Sequence, residues 1–189
     1  CHAHVIMDGE NYQRAVKLHK NGVQDEIIRK RFKTYKENGV TFVRDGGDAL
    51  GVSRRAKELA EEYGISYRTP VFAIHKNGNY GSIVGLSFSD MKEYHRRVLE
   101  AKSQGADFIK IMTTGLLDFD NQGAVTGTPL KAAEVKEMVH IAHEEGFSVM
   151  SHTNGVYGVQ AAIMAGVDSI EHGNYMDEET IDMLAQSQA

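Results

Sequence analysis

The chain has 189 residues, of which 41% are apolar and 25% charged, a composition typical of a soluble globular protein long enough to bury a substantial core. Its formal net charge of −5 provides no basic surface for nucleic acid, and no apolar run approaches the roughly 18 residues of a membrane span. A single cysteine excludes an internal disulfide framework. We therefore expect a cytoplasmic protein with neither a nucleic-acid nor a membrane partner.

Strand-like and helix-like segments alternate along the whole chain. The first strand carries His2 and His4, and short apolar, β-branched runs predict further strands at 40–44, 71–75, 106–112, 147–151 and 167–171. Helical patterns fill most of the gaps, at 24–38, 53–63, 89–104, 129–145, 156–165 and 177–186. Thr128 and Pro129 predict the N-cap and the first residue of the helix at 129–145.

Glycines lie at the boundaries between these helical and strand segments. Gly39, Gly105, Gly146 and Gly166 each follow a helical pattern and precede a strand, as expected of the residue that ends a helix. The pattern is typical of βα units with parallel strands, and the chain holds about six of them. Eight units would need about 250 residues, the usual length of a (β/α)8 TIM barrel. An open doubly wound sheet is the competing architecture, but no GxGxxG loop follows the first strand. We predict one α/β domain, residues 1–189, forming an incomplete barrel.

Metal-type side chains stand at the ends of several predicted strands. Residues two apart in a strand face the same side, so the imidazoles of His2 and His4 can reach one ion. Lys110 lies within an apolar strand, where a free ammonium is costly to bury. The alternatives to a role as buried base or ligand are that Lys110 pairs with a carboxylate or extends its ammonium group to solvent. His152 and His172, each taken alone, are better explained as hydrogen-bonded core histidines. The convergence of all five on the same strand ends favours a shared site.

The ligand types suggest which metal this site would bind. Imidazole ligands favour zinc over magnesium or calcium, and zinc is the usual ion of hydrolytic enzymes. Five positions are too many for one tetrahedral zinc and suit two ions that share a bridge. A neutral lysine amine can supply that bridge, because it reacts with carbon dioxide to give a carbamate with two oxygens. Burial or neighbouring metal ions favour the neutral amine.

Four stretches of the sequence together carry a family resemblance, namely His2-Ala3-His4, GVTFVRD at 39–45, IKIM at 109–112 and GVDSIEHG at 166–173. They resemble the metal-dependent amidohydrolase superfamily, and most closely the branch of imidazolonepropionase-like enzymes and Xaa-Pro or Xaa-Arg dipeptidases. The resemblance covers nearly the whole chain. It implies a zinc hydrolase acting on an amide or cyclic-amide C–N bond.

The same resemblance implies roles for the five side chains. His2 and His4 would bind one metal, His152 and His172 the other, and carboxylated Lys110 would bridge the two. A hydroxide between the ions would attack the amide carbonyl. In the family an aspartate after the eighth strand shuttles the proton, and we expect it beyond Ala189. The last two strands and the flanking β-sandwich of the family would be absent, so we predict no catalytic residue within this chain and weak activity for it alone.

Two positions are candidates for contact with a small-molecule amide or peptide-like substrate. They are Tyr80, whose alternative is a loop tyrosine packed on its neighbours, and His75 at the end of the third predicted strand. Many dipeptidase-like relatives have Gly-Gly-His where this chain has residues 78–80, and Tyr-Thr shortly after the histidine of the fifth strand, where it has 153–155. These departures leave the choice between a peptide and another amide open.

The alternative function is that of a non-catalytic or degenerate partial barrel. An incomplete barrel exposes two strand edges, which favour pairing with another chain. We therefore expect a homo-oligomer, whichever function is correct.

Overall fold

The computed structural model describes residues 2–189, and Cys1 lies outside this range. Strands and helices alternate within it, as predicted. In chain order they are β1 (His2–Ala3), α1 (Tyr12–Lys17), α2 (Asp25–Glu37), β2 (Phe42–Asp45), α3 (Val52–Ala60), β3 (Ser66–Arg68), β4 (Ala73–Lys76), β5 (Gly85–Phe88), α4 (Met91–Ser103), β6 (Ile109–Met112), α5 (Ala132–Glu144), β7 (Val149–Thr153), α6 (Val156–Ala165), β8 (Ser169–His172) and α7 (Glu178–Gln186).

The strands form two sheets in which every pairing is parallel. One sheet has the order β1-β2-β3 and the other the order β5-β4-β6-β7-β8. Because β3 and β4 follow each other along one extended stretch, the second sheet continues where the first ends. If β3 and β4 are counted as one strand, the barrel wall has six successive strand positions, in the order β1, β2, β3/β4, β6, β7 and β8. Parallel strands place their carboxyl ends at one edge, where TIM barrels carry their active sites.

The third predicted strand, 71–75, is correct only in part. It overlaps β4 (Ala73–Lys76), whereas β3 (Ser66–Arg68) was not predicted. The two strands are separate because Pro70 has no N–H and Val71 adopts a φ of 69°, which a strand does not accommodate. Backbone hydrogen bonds hold both sides of the interruption: Asp107 N donates to Thr69 O at 2.8 Å, and Asp48 N donates to Val71 O at 3.0 Å. The irregular stretch is thus a fixed part of the wall.

Strand β5 and helix α1 were not predicted. Both are short, and β5 begins at Gly85, a residue that strand propensity disfavours. A side chain at this position would meet Ala73 O at 2.2 Å, so glycine is what lets β5 lie against β4. Helix α5 begins at Ala132, and the prediction of a start at Thr128 and Pro129 is wrong. The preceding residue Lys131 is extended, and the N–H of Leu130 donates to Thr113 O at 2.8 Å instead of entering the helix.

Apolar helix faces cover the outside of the sheets in two clusters. The larger lies between the five-stranded sheet and α4, α5 and α6, and includes Ile74, Ile111 and Met138. The smaller lies between α2, α3 and the three-stranded sheet, around Phe32 and Val43. The polar side chains of the strand ends therefore face the barrel interior. No helix among residues 2–189 is both long and apolar enough to span a membrane.

Candidate metal centre

All five predicted metal ligands line one cavity of about 280 Å³. His2 lies on β1 with His4 directly after it, Lys110 on β6, and His152 and His172 at the carboxyl ends of β7 and β8. The ring centroids of His2 and His4 are 5.2 Å apart, those of His2 and His172 5.6 Å, and those of His152 and His172 4.8 Å. The structure therefore brings the five together, and their role as ligands remains a prediction.

The histidines form pairs rather than a group of three. Among residues 2–189, no three His, Cys, Asp or Glu side chains are grouped so that they could hold one ion. The predicted site does not require such a group, because each ion would take two histidines and share Lys110. The fit of a metal therefore depends on the lysine and on which histidine nitrogens face the cavity.

Burial favours the neutral form of three cavity histidines, His4, His152 and His172. Burial lowers the pKa of His4, although the nearby Asp45 carboxylate opposes this. Burial also lowers the pKa of His152 to about 4, outweighing its hydrogen bond to Gly115, and the Lys110 charge adds to the effect. The pKa of His172 is lowered by burial and by Lys110. Neutral imidazoles keep the lone pair that a metal needs.

Backbone carbonyls set the orientation of two of these rings. His4 Nδ1 lies 3.0 Å from Gly47 O, and His152 Nε2 lies 3.0 Å from Gly115 O. A carbonyl oxygen only accepts, so these nitrogens carry the proton in the neutral rings. The lone pairs are then on His4 Nε2 and His152 Nδ1, which are available to a ligand in the cavity.

Lys110 is the most unusual side chain of the site. It is 1% exposed, and its Nζ has no hydrogen-bond partner among the residues described. Burial lowers its pKa to about 7, with a further contribution from Arg44 and opposition from Glu171. His2 Nε2 is likewise buried without a partner. An unpaired buried polar atom costs roughly 1–3 kcal/mol, so both atoms suit a site that binds a polar group or cation.

This lysine predicts a specific pH dependence of stability in metal-free, CO2-depleted buffer. Between pH 7 and 10.5 the unfolded chain binds a proton at Lys110 that the folded chain lacks. The free energy of unfolding should therefore rise with pH across this window. Urea denaturation at several pH values measures the slope. Lys110→Met should flatten it, and an unchanged slope in that variant would show that Lys110 titrates normally.

Gly46 packs directly against the first histidine pair. An added Cβ at Gly46 would lie 2.3 Å from His4 Cε1 and 2.8 Å from His2 Nε2. Only a residue without a side chain lets the turn after β2 approach these rings. Gly46 was not among the residues predicted from the sequence, although a Gly-Gly pair directly after a strand was a visible signal.

The end of β8 departs from regular strand geometry. His172 has a φ of 75°, a left-handed conformation that is uncommon outside glycine. Alternation along a strand would place Glu171 and His172 on opposite faces. Glu171 Oε2 nevertheless lies 3.1 Å from His2 Nδ1, and the His172 ring lies beside that of His2. The backbone turn at His172 therefore brings both side chains to one side.

Glu171 is the second residue that the sequence analysis missed. Burial acts to raise its pKa, but the hydrogen bond from His2 and the charges of Lys110 and Arg44 outweigh this and lower the pKa to about 2. The carboxylate is therefore ionised at neutral pH. Its position next to His172 in the sequence was visible, but its contact with β1 depends on the folded barrel.

The two candidate substrate contacts lie in different places. Tyr80 lines the cavity, and its ring centroid is 5.1 Å from that of His152. His75 is buried on β4, its Nδ1 lies 3.1 Å from Lys76 O, and it is not among the residues that line the described cavity. The structure thus supports proximity of Tyr80 to the histidines and does not bring His75 to them.

The rest of the cavity wall is mainly apolar. Leu116, Leu117 and Phe119 extend over it from the loop after β6, where Leu117 and Val125 form an antiparallel bridge. Phe119 is 89% exposed. The other apolar lining residues are Met7, Val84 and Met112. Lys110 is the only Lys or Arg in the lining formed by residues 2–189.

A parallel βα barrel wall with a polar cluster at its strand carboxyl ends is the architecture of a TIM-barrel enzyme. The amidohydrolase family matches residues 2–187, and the chain belongs to that family. An ochratoxinase of Aspergillus niger is 30% identical over 134 residues, an alignment covering 69% of this chain and 26% of the relative. The predicted family is confirmed.

Solved structures confirm the predicted fold. The crystal structure of A. niger ochratoxinase has a TM-score of 0.75 at 21% identity and matches 98% of this chain and 50% of that one. That of a Xaa-Pro dipeptidase with bound methionine has a TM-score of 0.68 at 24% identity, again over 98% and 50%. The chain thus spans about half the length of these structures and about a quarter of the curated relatives.

Proposed function

We propose that this protein hydrolyses the C–N bond of an amide with the help of two zinc ions. The observation that carries the proposal is the buried, unpartnered Nζ of Lys110, which shares one cavity with four histidines. Zinc, when bound, lowers the pKa of a water ligand to about 7 and polarises a carbonyl. His2 and His4 would hold one ion, and His152 and His172 the other.

Carboxylation of Lys110 would supply the bridge between the ions. The neutral Nζ attacks the carbon of CO2, an N–C bond forms, and one amine proton is released to water. The product is a carbamate with one negative charge and two oxygens. This reaction converts a buried neutral amine without a described partner into an anion that two cations would stabilise.

The apolar wall indicates the kind of amide. Leu116, Leu117 and Phe119 can bury an apolar group next to the scissile bond, at about 25 cal/mol per Å² of apolar surface. Tyr80 would pack against the substrate beside His152. We therefore propose a neutral or weakly charged amide with an apolar substituent as substrate, in preference to a short acidic peptide.

Hydrolysis assays test this function. The chain loaded with zinc should release para-nitroaniline from N-acetyl-phenylalanine para-nitroanilide, slowly but faster than the Lys110→Met variant, and should hydrolyse glycyl-glutamate much less. A chelator should abolish the difference between the two proteins. Hydrolysis that resists both the chelator and the substitution would contradict a metal-dependent mechanism.

The strand edges support a proposal about assembly. Strands β1 and β8 end their sheets in the described part of the chain, so each has one edge without a strand partner. Exposed edges favour pairing with another chain. We propose that the chain forms homo-oligomers through them, and this would also hold for a non-catalytic partial barrel. Light scattering that finds a folded monomer would contradict it.

A further inference from the structure

The cavity histidines are oriented by different kinds of partner. His4 and His152 each face a backbone carbonyl, of Gly47 and Gly115 respectively. His2 instead places its Nδ1 3.1 Å from Glu171 Oε2. Because a carboxylate only accepts, the neutral His2 ring carries its proton on Nδ1 and its lone pair on Nε2. Among the described ring contacts, that of His2 is therefore made by a side chain, which a substitution can remove, whereas those of His4 and His152 are made by the backbone.

The Glu171 carboxylate is itself held in place by two further groups. Its Oε1 pairs with the Arg44 guanidinium and accepts a hydrogen bond from Ser169 Oγ at 3.2 Å. Arg44 Nη2 also donates to Ser169 Oγ at 3.0 Å. The Glu171 side chain is 12% exposed. One carboxylate oxygen thus anchors Glu171 to β2 and β8, which leaves the other for His2.

His2 Nε2 is buried, has no partner among the described residues, and belongs to a ring that lines the cavity with Lys110. A histidine that binds a metal through one nitrogen usually donates the other N–H to a carboxylate or carbonyl, which fixes both tautomer and orientation.

We propose that Glu171 is a positioning residue that holds His2 as the Nδ1–H tautomer and presents its Nε2 lone pair to a cation in the cavity. This rests on the proposed metal-dependent function only for the identity of the cation. The left-handed backbone at His172 makes the arrangement possible, because it lets Glu171 and His172 both reach His2.

Histidine NMR of the metal-free chain tests the positioning role without any activity measurement. Long-range ¹H–¹⁵N spectra should show His2 as the Nδ1–H tautomer. Glu171→Ala should shift His2 toward Nε2–H, whereas His4 and His152 should keep their tautomers because backbone carbonyls hold them. An unchanged His2 tautomer in Glu171→Ala would overturn the proposal, even if the parent chain bound no zinc.

Zinc titration of the same variants provides the second readout. Glu171→Ala should weaken zinc binding by about 10- to 100-fold, and Glu171→Asp, which keeps two acceptor oxygens, should recover part of the loss. If Glu171→Ala does not fold, the Glu171→Gln spectrum decides. Its one oxygen would accept from Arg44 and its NH2 would donate to His2 Nδ1, so His2 should shift to the Nε2–H tautomer, and an unshifted tautomer would overturn the proposal. Arg44→Met removes the anchor but leaves Glu171 able to accept from His2. Zinc affinity should therefore fall less in Arg44→Met than in Glu171→Ala, and a His2 Nδ1–H tautomer that is lost in Arg44→Met but kept in Glu171→Ala would overturn the proposal.

Discussion

Replacing Lys110 with methionine is expected to weaken zinc binding by more than about 100-fold while the fold remains intact. Loss of a bridging ligand should weaken zinc binding more than loss of a residue that only hydrogen-bonds to a ligand, which typically costs 10- to 100-fold in metal affinity. Methionine fills a similar volume in the apolar strand and removes a buried amine that has no described hydrogen-bond partner. The free energy of unfolding at neutral pH should therefore stay the same or rise. Isothermal titration with zinc and urea denaturation measure the two effects.

Lys76→Met is the matched control for this prediction. Lys76 lies on the adjacent strand β4 and pairs with Glu134, away from the cavity lining. Its replacement should leave zinc binding unchanged. If Lys110→Met bound zinc as tightly as the parent chain, Lys110 would be a structural residue and the proposed bridge would be wrong.

Replacing Gly46 with alanine is expected to disrupt the site from the backbone side. The new methyl group would lie 2.4 Å from His4 Nε2 and 2.8 Å from His2 Nε2. Both distances are shorter than the non-bonded contacts that Cβ atoms make in proteins. The rings or the turn must shift to relieve this contact, and a displacement of a ligand by a fraction of an ångström is enough to degrade a metal site. We expect zinc affinity to fall by at least about 10-fold, the scale of other disturbances to metal-ligand orientation.

Gly51→Ala separates this effect from the general cost of losing a glycine. Gly51 has a φ of 83°, and an added Cβ there would meet nothing within 4 Å. The substitution should cost about 1 kcal/mol of stability through backbone strain without changing zinc affinity. Equal zinc affinity in Gly46→Ala and the parent chain would show that the turn does not support the histidines.

The repeating features of the fold were predictable from the sequence. Helix α6 has its predicted bounds, 156–165, because Gly155 and Gly166 mark both ends. The βα alternation and the family motifs were enough to indicate a partial barrel. Strand β3 was not predicted, because it has only three residues and its pairing partner is the distant β2.

The candidate site was likewise predictable from the sequence only in part. Period-two alternation and strand ends were enough to predict that His2, His4, Lys110, His152 and His172 meet, and the structure brings them into one cavity. Gly46 and Glu171 were missed because their importance lies in contacts between β2, β8 and β1 that no local pattern encodes. His75 ends a strand as the ligands do, yet the structure keeps it out of the described cavity lining. A strand end alone therefore does not locate a side chain in the site.

The zinc stoichiometry of the chain tests the central claim most directly. Equilibrium titration in CO2-containing buffer, followed by metal analysis, should find about two ions per chain, as the pairing of four histidines around one lysine requires. Omission of CO2 should reduce this number, and Lys110→Met should prevent occupancy of the second ion. A chain that binds no zinc, or binds it equally well without Lys110, would contradict the two-metal account.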